Sequence, residues 1–282
     1  MISILSFEPG RGGLAERLKK GEISCEQLRQ SRLKINYINI RGRADWKRIA
    51  QLCGESRGWV LCSPEVLLPE KLGFKRFYSR SLERIMAING ALEVLSLLKG
   101  RQRKITLCFC DLDGSYSRYA PLFLPLCGRM KVLTRSGAYS SFPDYAMGEY
   151  GACVSLHTKS GSVGNCNVFV APKYVSLQGF KGGGALMFTS GRAGQNGTIR
   201  AVNRYGWSLP PSLKKLKPLW MSAEYFSQAL YSVEKCRELA RLTPHTFYIG
   251  DKPASAAELS IYLAGVSGIG IDTTPPKAYN KL

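Results

Sequence analysis

The sequence predicts an α/β protein, with a parallel sheet in residues 100–282 preceded by a smaller α/β domain over 1–99. Three observations predict it. The 282 residues are 45% hydrophobic and 21% charged, an ordinary balance for a chain long enough to bury two cores. The amino-terminal third alternates strand and helix patterns. Beyond Gly100, short apolar runs recur, some separated by spacers of helix length, as expected of parallel strands joined by crossovers.

The elements follow in order. Ile2 to Phe7 reads as a strand, followed by a glycine-rich turn at Gly10, Gly12 and Gly13 and a short helix from Leu14 to Lys20. Lys34 to Ile40 is a second strand, mixed on both faces. Asp45 can cap a helix running to Cys53, with Trp46, Ile49, Ala50 and Cys53 on one face. Trp59 to Cys62 reads as a strand that Pro64 ends. Ser81 to Leu98 is the clearest helix, and its end at Gly100, followed by Arg101, Arg103 and Lys104, sets the expected domain boundary.

Strands are then expected at Ile105 to Cys110, Met130 to Thr134, Ala152 to Leu156, Val168 to Ala171 and Ala185 to Thr189. Helices are expected at Ser115 to Cys127, weakened by Pro121 and Pro125 because proline removes a backbone donor, and at Phe142 to Tyr150, closed by Gly151. After Pro210 and Pro211 a basic linker reaches Trp220, and a helix follows over residues 221–242, from Ser222 to about Leu242. A strand at Phe247 to Ile249, a helix at Ala256 to Ala264 and a Gly- and Pro-rich tail complete the chain.

Charge narrows the ligand class. Forty Lys and Arg oppose twenty Asp and Glu, a formal net charge of +20. Between Glu149 and Glu224 there is no acidic residue, yet the window holds nine Lys and Arg, among them Lys159, Lys173, Lys181, Arg192, Arg200 and Arg204. Such a chain should attract anionic small molecules, and nucleic acid is a possible partner. No run approaches the ~18 apolar residues of a membrane span, so no membrane partner is expected. Met1 to Phe7 lacks a basic leader, and the nine scattered cysteines read as reduced buried hydrophobes, so a cytoplasmic location is expected. Cys108 and Cys110 share one strand face, but a lone C-x-C pair is weak evidence for a metal.

The segment Ile105 to Pro172, about a quarter of the chain, carries "ITLCFC", then "KVLTRS", then a helix ending "EYGA", then "NVFVAP". It resembles the Rossmann-type dinucleotide domain of shikimate dehydrogenases and their relatives. The resemblance implies a Rossmann-like sheet, with Arg135 and Ser136 where NADP-using members hold the 2′-phosphate. Where the family carries G-x-G-x-x-G, this chain reads Asp111, Leu112, Asp113, Gly114, Ser115, Tyr116. Two carboxylates there oppose a diphosphate, so a retained fold with its cofactor site altered or lost is expected. The expected ligand is nucleotide-like or phosphorylated, with NADP one candidate. It would lie in a crevice formed by residues 111–116, 135–136 and 190–194, touching Asp113, Gly114, Ser115, Arg135, Ser136, Ser190, Gly191 and Arg192.

"FCDLDGS" is also similar to the D-x-D-G-T signature of haloacid dehalogenase-type phosphotransferases. That resemblance implies a magnesium-dependent phosphatase with Asp111 as nucleophile and Asp113 as general acid and base. Thr189 or Ser190 would bind phosphate, Lys159, Lys173 or Lys181 would neutralise charge, and Asp251 would hold magnesium. Position 115 is Ser where the family has Thr, and the acid expected soon after Asp251 is absent, the next being Glu258. A plainer reading makes Asp111 a turn residue capping nearby amides. His157 and His245, the only histidines, lack a predictable acid partner. "KLGFKRFYSRSLER" interleaves cations with rings, a pattern that suits nucleic acid.

Overall fold

The computed structural model describes residues 1–8, 21–30, 33–176, 178–180, 183–191 and 199–266. The turn at Gly10, Gly12 and Gly13, the helix at 14–20, Lys181, Arg192 and the Gly- and Pro-rich tail therefore lie outside the described residues. The chain divides into two units, Met1–Leu82 with Trp207–Leu242, and Glu83–Gly206 with the chain from Thr243.

In the first unit β1 (Ile2–Glu8) lies parallel to β3 (Leu33–Arg41), whose other edge pairs antiparallel with β2 (Glu22–Gln30). Beyond β1, the Leu61 amide donates to Ser3 O at 2.9 Å and the Leu61 carbonyl accepts from Leu5 N at 2.8 Å, so the expected strand at 59–62 is a short parallel addition. Helix α1 (Trp46–Cys53) is capped by Asp45, whose Oδ1 accepts from Arg48 N at 3.2 Å. It buries Ile49 and Cys53 against Leu5, Ile38, Ile40 and Phe74. Strand β2 was not expected from the sequence, because Ile23 is buried and Leu28 half-buried among exposed polar neighbours, which breaks the period of two.

The second unit opens within α2 (Ser81–Ser96) and carries an eight-stranded sheet. Its strands are β4 (Thr106–Cys110), β5 (Arg129–Leu133), β6 (Val154–His157), β7 (Val168–Ala171), β8 (Ala185–Thr189), β9 (Ile199–Gly206), β10 (Thr246–Ile249) and β11 (Lys252–Ala254). The order is β11-β10-β9-β8-β7-β4-β5-β6. Strands β4 to β9 are all mutually parallel, and β10 and β11 add antiparallel at one edge. Taken in chain order, the six parallel strands lie as 3-2-1-4-5-6, the Rossmann order, with the reversal between β4 and β7. The fold is Rossmann-like α/β, as the sequence predicts.

Strands β7 and β8 are buried at every position and β4 at all but its first, which explains their continuous apolar runs. Cys108 and Cys110 do share a face; with Cys166, Phe169, Ala171 and Met187 they fill one core, and all nine cysteines are free. Within the helix α2, Gly90 lets the buried ring of Phe247 come in, since a Cβ there would lie 2.6 Å from that ring.

Three expectations are corrected. The boundary at 99/100 fails because α2 packs on β10 through Gly90 and so belongs with the sheet, although Gly100 does end its trailing turn with φ +74°. The helix expected over 221–242 stops as α5 (Ala223–Ser232), short α4 (Pro211–Lys214) lying before it, and Lys235 takes φ 57°. That region completes the first unit rather than the sheet: Tyr225 Oη donates to Phe77 O at 3.2 Å, Tyr37 Oη to Leu216 O at 2.5 Å, and Glu234 accepts from Lys34 N at 3.2 Å. The crossover at Ser115 to Cys127 is a 3-10 helix, Ser117–Leu126, because Pro121 and Pro125 deny the α-helical bonding pattern. Helices α3 (Phe142–Tyr150) and α6 (Ala256–Val266) fall where expected.

Candidate functional site

In a sheet of this order, ligands bind outside the carboxyl ends of the strands near the reversal. The loop after β4 begins with Asp111, which is 3% exposed. Its Oδ2 accepts from Tyr116 N and from Tyr139 Oη, each at 2.8 Å. Its Oδ1 is buried and has no hydrogen-bond partner among the described residues. Burial pushes the Asp111 carboxyl above its ordinary range, partly offset by the bonds from Tyr139 and Tyr116. The Tyr139 hydroxyl is raised by burial and by its bond to Asp111. This carboxylate organises the loop, as the turn reading holds, and does not open onto solvent where a phosphorus atom could be attacked.

Asp113 is half-exposed and forms an ion pair with Lys173, whose ammonium also donates to Ser115 Oγ at 3.0 Å and lies 5.7 Å from the Tyr116 ring centroid. The bond from Lys173 holds the Asp113 carboxyl well below its ordinary range. Asp113 follows β4 and Lys173 follows β7, so the pair bridges the reversal of strand order. Gly114, at φ +75°, gives close approach to the protein itself: a Cβ there would lie 2.4 Å from Ser136 Oγ. Ser136 Oγ in turn accepts from Ala138 N at 3.2 Å.

The Lys173 pair should contribute little to folding, because both groups are more than a third exposed. Lys173→Ala is expected to cost less than about 1 kcal/mol at pH 7. A depressed carboxylate stabilises above its unfolded pKa and loses that contribution in acid, so the deficit should shrink below about pH 4. Chemical denaturation at pH 7 and pH 2.5 checks this, and a deficit that grows in acid would contradict it.

A cleft of about 290 Å³ opens at the carboxyl ends of β4, β5 and β6. Leu112, Leu133, Arg135, Thr158, Lys159 and Ser160 line it, with Val175 and Ser176 from the loop after β7 closing the remaining side. No lining residue is acidic, and neither Arg135 nor Lys159 pairs with a described carboxylate. Gly179, at φ +84°, lets the closing loop reach Ser160 and Gly161, and Ser160 Oγ donates to Gln178 O at 2.8 Å. Beside it His157 binds Ser155 Oγ at 2.9 Å and Ser162 Oγ at 3.2 Å, and burial lowers its pKa.

The expected site residues are thus only partly gathered. Arg135 and Leu112 line the cleft; Asp113 and Ser115 bond to Lys173; Gly114 and Ser136 meet each other. Ser190 is buried and donates to Pro172 O at 2.7 Å, and Gly191 packs on Tyr174. They lie beyond β7 and not in the cleft, while Arg192 falls outside the described residues. Thr189 is 2% exposed, its Oγ1 accepting from Gly191 N at 3.2 Å.

Asp251 sits in the turn after β10. Because β10 runs antiparallel to β9, that turn lies toward the amino ends of the parallel strands, opposite Asp111. The residues assigned by the phosphotransferase resemblance are therefore not brought together. In the basic-aromatic run, Phe74 and Phe77 are buried and Arg80 lies 5.9 Å from the Tyr78 ring, leaving one exposed ring for stacking. The sequence missed Thr158, Val175 and Ser176, whose only signal was their place after strands.

No family model matches the chain, and no curated protein matches it significantly. Among solved structures it is similar to the L-tryptophan dehydrogenase from Nostoc punctiforme, with 11% identity and a TM-score of 0.30 over 94% of this chain and 80% of that one. Among the described residues no helix is long and apolar enough to cross a membrane.

Proposed function

We propose that the second unit binds a phosphate-bearing, nucleotide-like anion in the cleft at the carboxyl ends of β4, β5 and β6. The observation that carries the reading is the placement of Arg135 and Lys159, uncompensated by any described acid, on the wall of a cleft at the edge where such sheets take ligands. Thr158 and Ser176 add hydroxyls that can donate to phosphate oxygens. Arg135 keeps the position after the second parallel strand that suits a ribose phosphate. Across the strand reversal, Asp113 and Lys173 already neutralise each other, so a diphosphate bridging β4 and β7 would have to displace that pair. A ligand with a single phosphate group over β5 and β6 meets no such competitor.

A thermal-shift panel of NADPH, NADH, adenosine monophosphates and pyrophosphate tests the reading. A ligand at about a hundredfold its Kd should raise the melting temperature by roughly 5 °C. Adenosine 2′-phosphate or another monophosphate is expected to act more strongly than NADH. Absence of any shift across the panel at low salt would overturn the proposal.

A further inference from the structure

The first unit holds a larger hollow, about 860 Å³, that the phosphate cleft does not involve. It opens beyond the carboxyl ends of β1, through Ser6 and Phe7, and of the parallel segment at 60–62, through Cys62 and Ser63. Four rings line it. Phe7 and Trp46 stand together, their centroids 5.9 Å apart, with Trp46 braced edge-on by the buried Phe74 at 5.2 Å. Trp220 and Tyr225 come from the returning segment. Tyr225 is fixed by its bond to Phe77 O, and Trp220 stays 42% exposed. Leu67, 91% exposed, stands on the rim.

The charge in this hollow is placed by a rigid group. Arg76 Nε donates to Cys62 Sγ at 3.4 Å, and its Nη2 donates to the carbonyls of Ser63, Pro64 and Val66 at 3.1, 3.1 and 2.6 Å. Every one of these partners is neutral, and no described carboxylate pairs with Arg76. Its Nη1 carries no partner among the described residues, so the positive charge and the N–H groups of that nitrogen stay available. Glu65, also on the wall, is exposed.

We infer that this hollow is a second binding site, for a flat aromatic molecule bearing a carboxylate. The rings would stack against its body while Arg76 receives the acid. A neutral apolar molecule would leave the guanidinium unanswered, and a cation would meet it as a like charge.

Three matched compounds, 2-naphthoate, 2-naphthamide and 2-naphthylmethylamine, test the inference through tryptophan emission, since Trp46 and Trp220 are on the walls. Saturable change is expected with naphthoate, at least about tenfold tighter than the amide, the worth of a charge-assisted hydrogen bond. Val66→Trp, which narrows the hollow, should weaken naphthoate at least tenfold. Trp220→Phe, at a partly exposed position, keeps the test independent of that variant's folding and should remove the larger part of the emission change. Overturning results are no saturable change with any compound, equal or tighter binding of the amine, or full signal without Trp220.

Discussion

Asp111→Ala is expected to cost about 2–4 kcal/mol, the sum of leaving one buried hydroxyl and one amide without an acceptor. Those groups are Tyr139 Oη, on a side chain 1% exposed, and Tyr116 N. Asp111→Asn behaves differently. The amide oxygen still accepts both bonds, and the gain from removing a charge that burial disfavours is set against placing Nδ2 where Oδ1 lies buried without a partner, so the variant should lie within about 1 kcal/mol of the parent at pH 7. A carboxyl whose folded pKa is raised costs stability as the pH rises above the unfolded value, and the cost is absent below it. Any advantage of Asp111→Asn should therefore fade below about pH 4. Urea denaturation of both variants at pH 7 and pH 3.5 decides the matter. Equal and large losses for Asn and Ala would mean that the charge itself holds the loop.

The second large effect is on ligand affinity. Arg135→Ala and Lys159→Ala are each expected to weaken the best phosphate ligand by about 10–100-fold, corresponding to the ~1.5–3 kcal/mol of a hydrogen bond to a charged group. Neither side chain is paired with a described acid, and Arg135 is exposed, so neither change should disturb the fold. Affinity of the parent should fall as salt rises, and the fall should be shallower in each variant. Asp113→Asn gives the opposite sign. Freeing Lys173 from its partner adds an uncompensated cation at the strand reversal, so a diphosphate ligand should gain several-fold. Isothermal titration with pyrophosphate measures both directions, and loss of affinity in Asp113→Asn would contradict the description of that pair as a competitor.

Much of the sheet was legible because burial on both faces leaves an unmistakable trace. Strands β4, β7 and β8 are runs of apolar residues with no polar face, and their spacing implied parallel pairing. Strand β9 left no such trace: Arg200, Asn203 and Arg204 interrupt it, and the two arginines lie over the rings of Tyr262 and Tyr248 rather than in a core. The membership of Trp207–Leu242 in the first unit was illegible for a different reason. Trp207 Nε1 donates to Ser227 Oγ at 2.9 Å and Leu213 is buried, but an apolar residue does not declare which core it fills.

The candidate site divides in the same way. Arg135 was legible from its place after a strand, a local fact. Closure of the cleft by Val175 and Ser176 was not, because it depends on Gly179 meeting Ser160 and Gly161 across the fold. Lys173 stood out as a cation able to neutralise charge, and the charge it meets is that of Asp113.

Hydrogen exchange of the whole chain with and without adenosine 2′-phosphate tests the central claim most directly. Slowed exchange is expected in the segments at 112–116, 134–136, 158–161 and 175–176, which border the cleft, with β10 and β11 unchanged. Protection confined to other segments, or none under conditions where titration detects binding, would contradict an anion site at the carboxyl ends of β4, β5 and β6.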